Sequence, residues 1–149
     1  MIFIDTGAFL ARYVQRDQYH EQAVQHWRQI QLERRRCFTS NFVLDETFTL
    51  LARRTSYTFA ALRATHLLQS STLVILRPDQ EDEYTAARHF QKYADQRVSF
   101  TDCISFALME KYHLLHAFTF DQHFILNLHS TWSLCATNRR PENLPPYAS

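Results

Sequence analysis

Short apolar runs alternate with longer stretches of helical period along this chain. Runs at residues 2–4, 37–39, 72–76, 116–120 and 132–136 read as strands. The first, Ile2-Phe3-Ile4, is apolar on both faces, which predicts a central strand of a buried parallel sheet. The third, Thr-Leu-Val-Ile-Leu, is stopped by Pro78. Between the runs lie helical patterns. Residues 8–13 make one or two turns. Asp17 opens a helix to about residue 35, with Tyr19, Ala23, Trp27 and Ile30 on one stripe. Ser40 or Asn41 caps a helix over 42–54, and Ser56 one over 57–69. Asp79, with Asp82 in the capping-box position, opens a helix to about residue 93. A loop at 95–99 precedes a helix over 103–113, capped by Thr101 or Asp102. A short helical turn through Phe124 follows the fourth strand. Strands and helices in alternation, with connections long enough for crossovers, predict an α/β fold with a parallel sheet and helices on both faces.

Composition narrows this only slightly. A chain of 149 residues, 46% hydrophobic and 14% aromatic, suffices for one domain with a full core. That domain is expected over residues 1–138, followed by a Pro-rich basic tail over 139–149. Cys37, Cys103 and Cys135 are too widely spaced for a metal or redox motif, and predict reduced thiols in a cytoplasmic protein. No signal peptide is visible, since the first apolar run is three residues long, and no stretch is long enough to span a membrane. Net charge is +1, yet 14 of the 16 basic side chains are Arg, whose planar fork suits phosphate as well as a solvated surface.

The acidic residues carry more. Asp5 ends the first strand and Asp121 the fourth. Glu46 lies in the early turns of the helix after the second strand, and Asp102 at the start of the helix that feeds the fourth. In a parallel sheet the first three reach one edge, the carboxyl edge, where ligands bind in open α/β folds. Asp102 joins them only if the 95–101 loop carries its helix start there, which periodicity does not decide. Each acid also has a structural role open to it: Asp5, Asp102 and Asp121 as helix caps, Glu46 as a solvated helix residue. Glu46, however, sits among Phe42, Val43, Leu44, Phe48, Leu50 and Leu51, and Asp121 follows Phe118 and Phe120. Carboxylates about 4 Å apart repel by roughly 4 kcal/mol per pair at an effective dielectric of about 20. Such a cluster requires protons or a cation, and its oxygen donors suit Mg²⁺ or Mn²⁺. No Cys or His cluster suggests zinc: His113 and His116 straddle a helix-to-strand transition.

Four motifs in order, Ile-Phe-Ile-Asp5-Thr-Gly-Ala, Val-Leu-Asp-Glu46-Thr, Phe-Thr-Asp102-Cys-Ile and Phe-Thr-Phe-Asp121-Gln-His-Phe, make the sequence similar to PIN domains. Within that family it resembles the toxins of virulence-associated B/C (VapC-like) toxin–antitoxin pairs, over about residues 1–136. The resemblance implies a three-layer α/β/α sandwich with a parallel five-stranded sheet. It implies an Mg²⁺- or Mn²⁺-dependent endoribonuclease in which Asp5, Glu46, Asp102 and Asp121 are the metal-binding and catalytic cluster. It also implies an RNA substrate, an antitoxin partner and a homodimer. Two departures stand out: Gly7 where many relatives have Ser or Asn, and Cys103 where they often have Ala. Gly7 either lets the backbone approach the site or makes a tight turn. Thr6, Thr101 and Thr119 place hydroxyls beside three of the acids, as donors to them or, for Thr101, as a cap.

With four of the 15 acids committed to the cluster, the rest of the chain is basic, which suits RNA phosphates. Arg34–Arg36, Arg53, Arg54, Arg139 and Arg140 are the candidates, the helix-end arginines also opposing the helix dipole. Other readings of a carboxyl-edge acid fit less well. A receiver domain needs an acidic pair after its first strand and a late Lys. A haloacid-dehalogenase phosphatase needs Asp-x-Asp where position 7 is Gly, and one glycine cannot supply a dinucleotide loop. A catalytically idle PIN scaffold binding RNA or protein, and a PIN nuclease outside toxin–antitoxin pairs, are the alternatives to a toxin.

Overall fold

A computed structural model describes residues 1–121, Phe124 and the backbone of Ser133 and Leu134. Five strands, β1 (Ile2–Ile4), β2 (Cys37–Ser40), β3 (Leu73–Leu76), β4 (His116–Phe118) and β5 (Ser133–Leu134), form one sheet in the order β3-β2-β1-β4-β5. Every pairing is parallel. Among the described residues six α-helices connect β1 through β4: α1 (Thr6–Tyr13), α2 (His20–Leu32), α3 (Asn41–Arg54), α4 (Tyr57–Leu68), α5 (Gln80–Lys92) and α6 (Phe100–Lys111). Parallel strands require crossovers, and right-handed crossovers that first step one way from β1 and then return place helices on both faces. The result is the expected three-layer α/β/α sandwich. The basic tail and Cys135 lie outside the described residues, as do the flanks of Phe124 and of β5.

The core explains the short strands. Ile2, Phe3 and Ile4 are fully buried, as a strand covered on both faces must be. Phe9, Trp27 and Phe118 meet above them, with ring centroids 5.6 Å apart for both Trp27 pairs. The Trp27 indole N–H is satisfied by the carbonyl of Ala8 at 3.3 Å. Packing of α1 on α2 and α3, of α3 on α4 and of α5 on α6 completes the layers, and α3 also touches α6.

Local signals held at several helix starts. Ser40 and Ser56 cap α3 and α4 through their hydroxyls, and Asp79 and Asp82 form the expected capping box. Three starts differ from the sequence reading. The first helix begins at Thr6, two residues before the 8–13 stretch, with Asp5 as its cap. Asp17 accepts the Tyr19 N–H at 2.9 Å in the turn before α2, and the helix begins at His20 with no side-chain cap. At α6 the cap is neither Thr101 nor Asp102. Ser99 is the N-cap, and the helix starts at Phe100, three residues earlier than apolar periodicity suggests. Apolar spacing marks where a helix becomes buried, not where its hydrogen bonding begins.

Candidate active site

The strand order β3-β2-β1-β4-β5 reverses direction between β1 and β4. That switch point opens a crevice at the carboxyl edge, and the candidate acids surround it. Register brings Ile4 beside Phe118, so the next residues, Asp5 and Thr119, come level across the two strands. The Asp5 N–H donates to the Phe118 carbonyl at 3.1 Å. Asp5 then caps α1, accepting the Gly7 N–H at 3.4 Å.

Three of the four carboxylates have an oriented partner. The buried Thr119 hydroxyl donates to Asp5 Oδ2 at 2.8 Å and accepts the Asp121 N–H at 3.0 Å. One threonine therefore fixes the Asp5 carboxylate at the end of β1 and the backbone of Asp121, three residues past β4. Thr6 donates to Glu46 Oε2 at 2.6 Å, joining α1 to α3. Asp102 is the third helical residue of α6, where its Oδ2 accepts from the Ser99 hydroxyl at 2.8 Å and the Ser99 N–H at 3.1 Å. Asp102 is thus part of a capping box rather than a cap, and its partner is Ser99, not Thr101. Ser99 was legible as Ser-x-x-Asp before an apolar run. Thr119 as the partner of Asp5 was not, because only register supplies that pair.

Electrostatics tie the four together. Asp5 is 3% exposed. Its burial first, and then the charge of Asp102, push its carboxyl up to about 7; Asp121 adds to the rise, while the Thr119 hydrogen bond opposes it. Asp102 is pushed up to about 6, again by burial first, with the charges of Asp121 and Glu46 adding and the Ser99 hydrogen bond opposing. A buried acid that feels its neighbours' charges holds either a proton or a cation. Among the described residues no three His, Cys, Asp or Glu side chains are placed to hold one ion; one oxygen each of Asp5, Glu46 and Asp102 is turned to a hydroxyl. Four carboxylates, one of them 3% exposed, would suit a hard divalent cation better than zinc or copper.

The neighbouring thiol is inert. Burial and Asp102 push Cys103 up to about 11, so it stays protonated, and Cys37 is buried with its pKa raised as well. Gly7 makes no tight turn. It lies in the first turn of α1 without a positive φ, and a Cβ there would meet Asp5 Oδ2 and the Phe120 N at 3.6 Å, ordinary contact distance. Among the described residues no helix is long and apolar enough to cross a membrane.

Comparison with known proteins places this arrangement. The chain is 32% identical over 124 residues to the 23S rRNA-specific endonuclease VapC20 of two Mycobacterium tuberculosis strains, covering 83% of this chain and 92% of the relative. The crystal structure of M. tuberculosis VapC20, a toxin that cleaves the sarcin–ricin loop, superposes with a TM-score of 0.76 at 30% identity. It covers 85% of this chain and 94% of that one. The sequence pattern of the PIN domain matches residues 2–126. The chain belongs to the PIN domain family.

Proposed function

We propose that this protein is a divalent-cation-dependent endoribonuclease, the toxin of a toxin–antitoxin pair, and that Asp5, Glu46, Asp102 and Asp121 form its metal-binding catalytic cluster. The observation that carries the reading is the desolvated Asp5 at the β1–β4 switch point, its carboxyl raised to about 7 by burial and by neighbouring acids. A fold needing only a helix cap would not retain that cost. Similarity to a 23S rRNA-specific endonuclease over nearly the whole of that relative supports RNA as the substrate. It makes a structured loop of ribosomal RNA the first substrate to test.

The four carboxylates would hold Mg²⁺ or Mn²⁺, which when bound neutralises the scissile phosphodiester and lowers the pKa of the attacking water. The protein's own part is to present the oxygens and keep them there. Thr119 fixes one Asp5 oxygen and the backbone before Asp121, and Ser99 fixes one oxygen of Asp102. Thr6 holds Glu46, which serves as a further ligand or orients the water. Asp5 must lose its proton to bind the cation, so at subsaturating cation the rate rises as pH increases toward about 7, and saturating cation moves that rise to lower pH. The partners proposed with this reading are an antitoxin and a second copy of the chain.

The test is cleavage of ribosomal RNA with Mg²⁺ or Mn²⁺ by the wild type, Asp5→Asn and Asp102→Asn. Both variants should lose at least about a hundredfold in rate while keeping the wild-type circular dichroism spectrum, one ligand charge being worth several kcal/mol of transition-state stabilisation. Full activity in either variant would remove that residue from the cluster.

A further inference from the structure

Beside the acids runs an open groove of about 470 Å³, whose lining includes Gly7, Asp17, Tyr19, Arg54, Phe120 and Asp121. Asp121 belongs to both the groove and the acidic cluster, so the two are continuous. The Tyr19 and Phe120 rings stack at 4.6 Å with planes 7° apart. Both are half-buried and line the groove. Neither belongs to a helix or strand: Tyr19 precedes α2, and Phe120 lies between β4 and Asp121. The lining also includes a guanidinium. Arg54, at the end of α3, is 48% exposed and pairs with Asp17 at 3.4 Å. Arg16 donates to the Arg54 carbonyl at 3.0 Å, which sets a second guanidinium against the end of α3. Asp17 also accepts the Tyr19 N–H, so a single carboxylate ties Arg54 to the aromatic pair.

This order of chemistry suits an unpaired nucleotide. A stacked ring pair offers a surface to a base, a guanidinium meets phosphate, and the acids lie one step away along the same groove. An apolar peptide would leave Arg54 and Arg16 unmatched. A duplex keeps its bases stacked on each other and away from the rings. We propose that the groove is a subsite for one single-stranded nucleotide flanking the scissile phosphate, its base against the Tyr19–Phe120 pair and its neighbouring phosphate on Arg54. The inference rests on the nuclease reading and adds to it the side chains that hold the nucleotide beside the cut.

The test uses the full chain and an RNA stem-loop whose cleavage position has been mapped. Kinetics are compared for the wild type, Phe120→Leu, Arg54→Gln and, as a control for lost charge, Arg88→Gln on α5. An abasic nucleotide is placed in turn at each position flanking the cut. Arg54→Gln should raise KM about tenfold and flatten its dependence on salt, whereas Arg88→Gln should leave both as in the wild type. An abasic nucleotide at one flanking position should weaken wild-type binding about tenfold, and Phe120→Leu should abolish that penalty. Unchanged KM in Arg54→Gln, with the same abasic penalty in Phe120→Leu, overturns the subsite. Wild type that cleaves no RNA defeats the nuclease reading instead. The subsite is then decided by anisotropy of a labelled single-stranded oligonucleotide: binding weakened in Arg54→Gln upholds it, and equal binding to both proteins rejects it. Thermal melting of each variant separates these effects from misfolding.

Discussion

Asp5 concentrates the residue-scale physics. An acid whose pKa is about 7 in the fold and 3.8 as a free group binds more protons when folded throughout that interval. Stability of the cation-free protein therefore falls as pH rises from about 4 to about 7, by on the order of 4 kcal/mol. Asp5→Asn removes the titration, so thermal unfolding in chelator should show a higher Tm for the variant at pH 8 and little difference at pH 4. A wild-type Tm independent of pH over that range would contradict the burial of a charged Asp5. Thr119 is the second such position. Thr119→Val keeps the shape but removes the donor to Asp5 and the acceptor for the Asp121 N–H. It should cost about 1–3 kcal/mol in urea unfolding and at least tenfold in cleavage rate, since two acids lose their fixed orientation together.

At the scale of elements, the helix ends are where this chain bears strain. Its one glycine stands inside α1, leaving none to close the helices. Arg34, after α2, and His113, after α6, take left-handed conformations with φ of 50° and 52°. The turn at His113 completes the usual closing pattern: the Leu114 N–H reaches the Met109 carbonyl at 2.9 Å, and the His113 N–H reaches Glu110 at 3.2 Å. Glycine relieves the Cβ clash of that conformation, at some expense in unfolded-chain entropy. His113→Gly should raise stability by about 0.5–1 kcal/mol, seen as a Tm higher by a few degrees. The other end of α6 carries a member of the proposed site. Ser99 sets where the helix begins, and thereby sets the third residue, Asp102, at the crevice. Had the helix begun at Cys103, as its apolar spacing alone implies, Asp102 would have been a cap with its oxygens spent on the helix.

At the scale of the whole molecule, the layers converge on one crevice. Acids from α3, from α6 and from the ends of β1 and β4 meet only when the whole sheet and both helical layers are in place. A cation bound there binds the folded chain and not the unfolded one, so it stabilises by mass action, about 2.7 kcal/mol at a hundred times its dissociation constant. Mn²⁺ added at pH 8 should raise the Tm of the wild type and leave that of Asp5→Asn nearly unmoved. Equal shifts in the two proteins would place the cation elsewhere. Because protons compete for the same oxygens, the wild-type shift should shrink as pH falls below about 6.

The sequence alone determined the strands, the alternation that makes the sheet parallel and most helix caps, and it named the candidate acids, because these depend on residues close together in the chain. Asp5 beyond Ile2-Phe3-Ile4 and Asp121 beyond the Phe118 run were legible as carboxyl-edge residues for that reason. Tertiary structure decided the rest. The step of β4 back beside β1, and the register that sets Thr119 level with Asp5, are choices among long-range pairings that no local pattern encodes. The path of the 94–99 segment, which delivers Ser99 and Asp102 to the crevice, is fixed by the packing of α6 on α5 and α3. The Tyr19–Phe120 stack joins residues a hundred positions apart, and only the fold makes them neighbours of the same carboxylates.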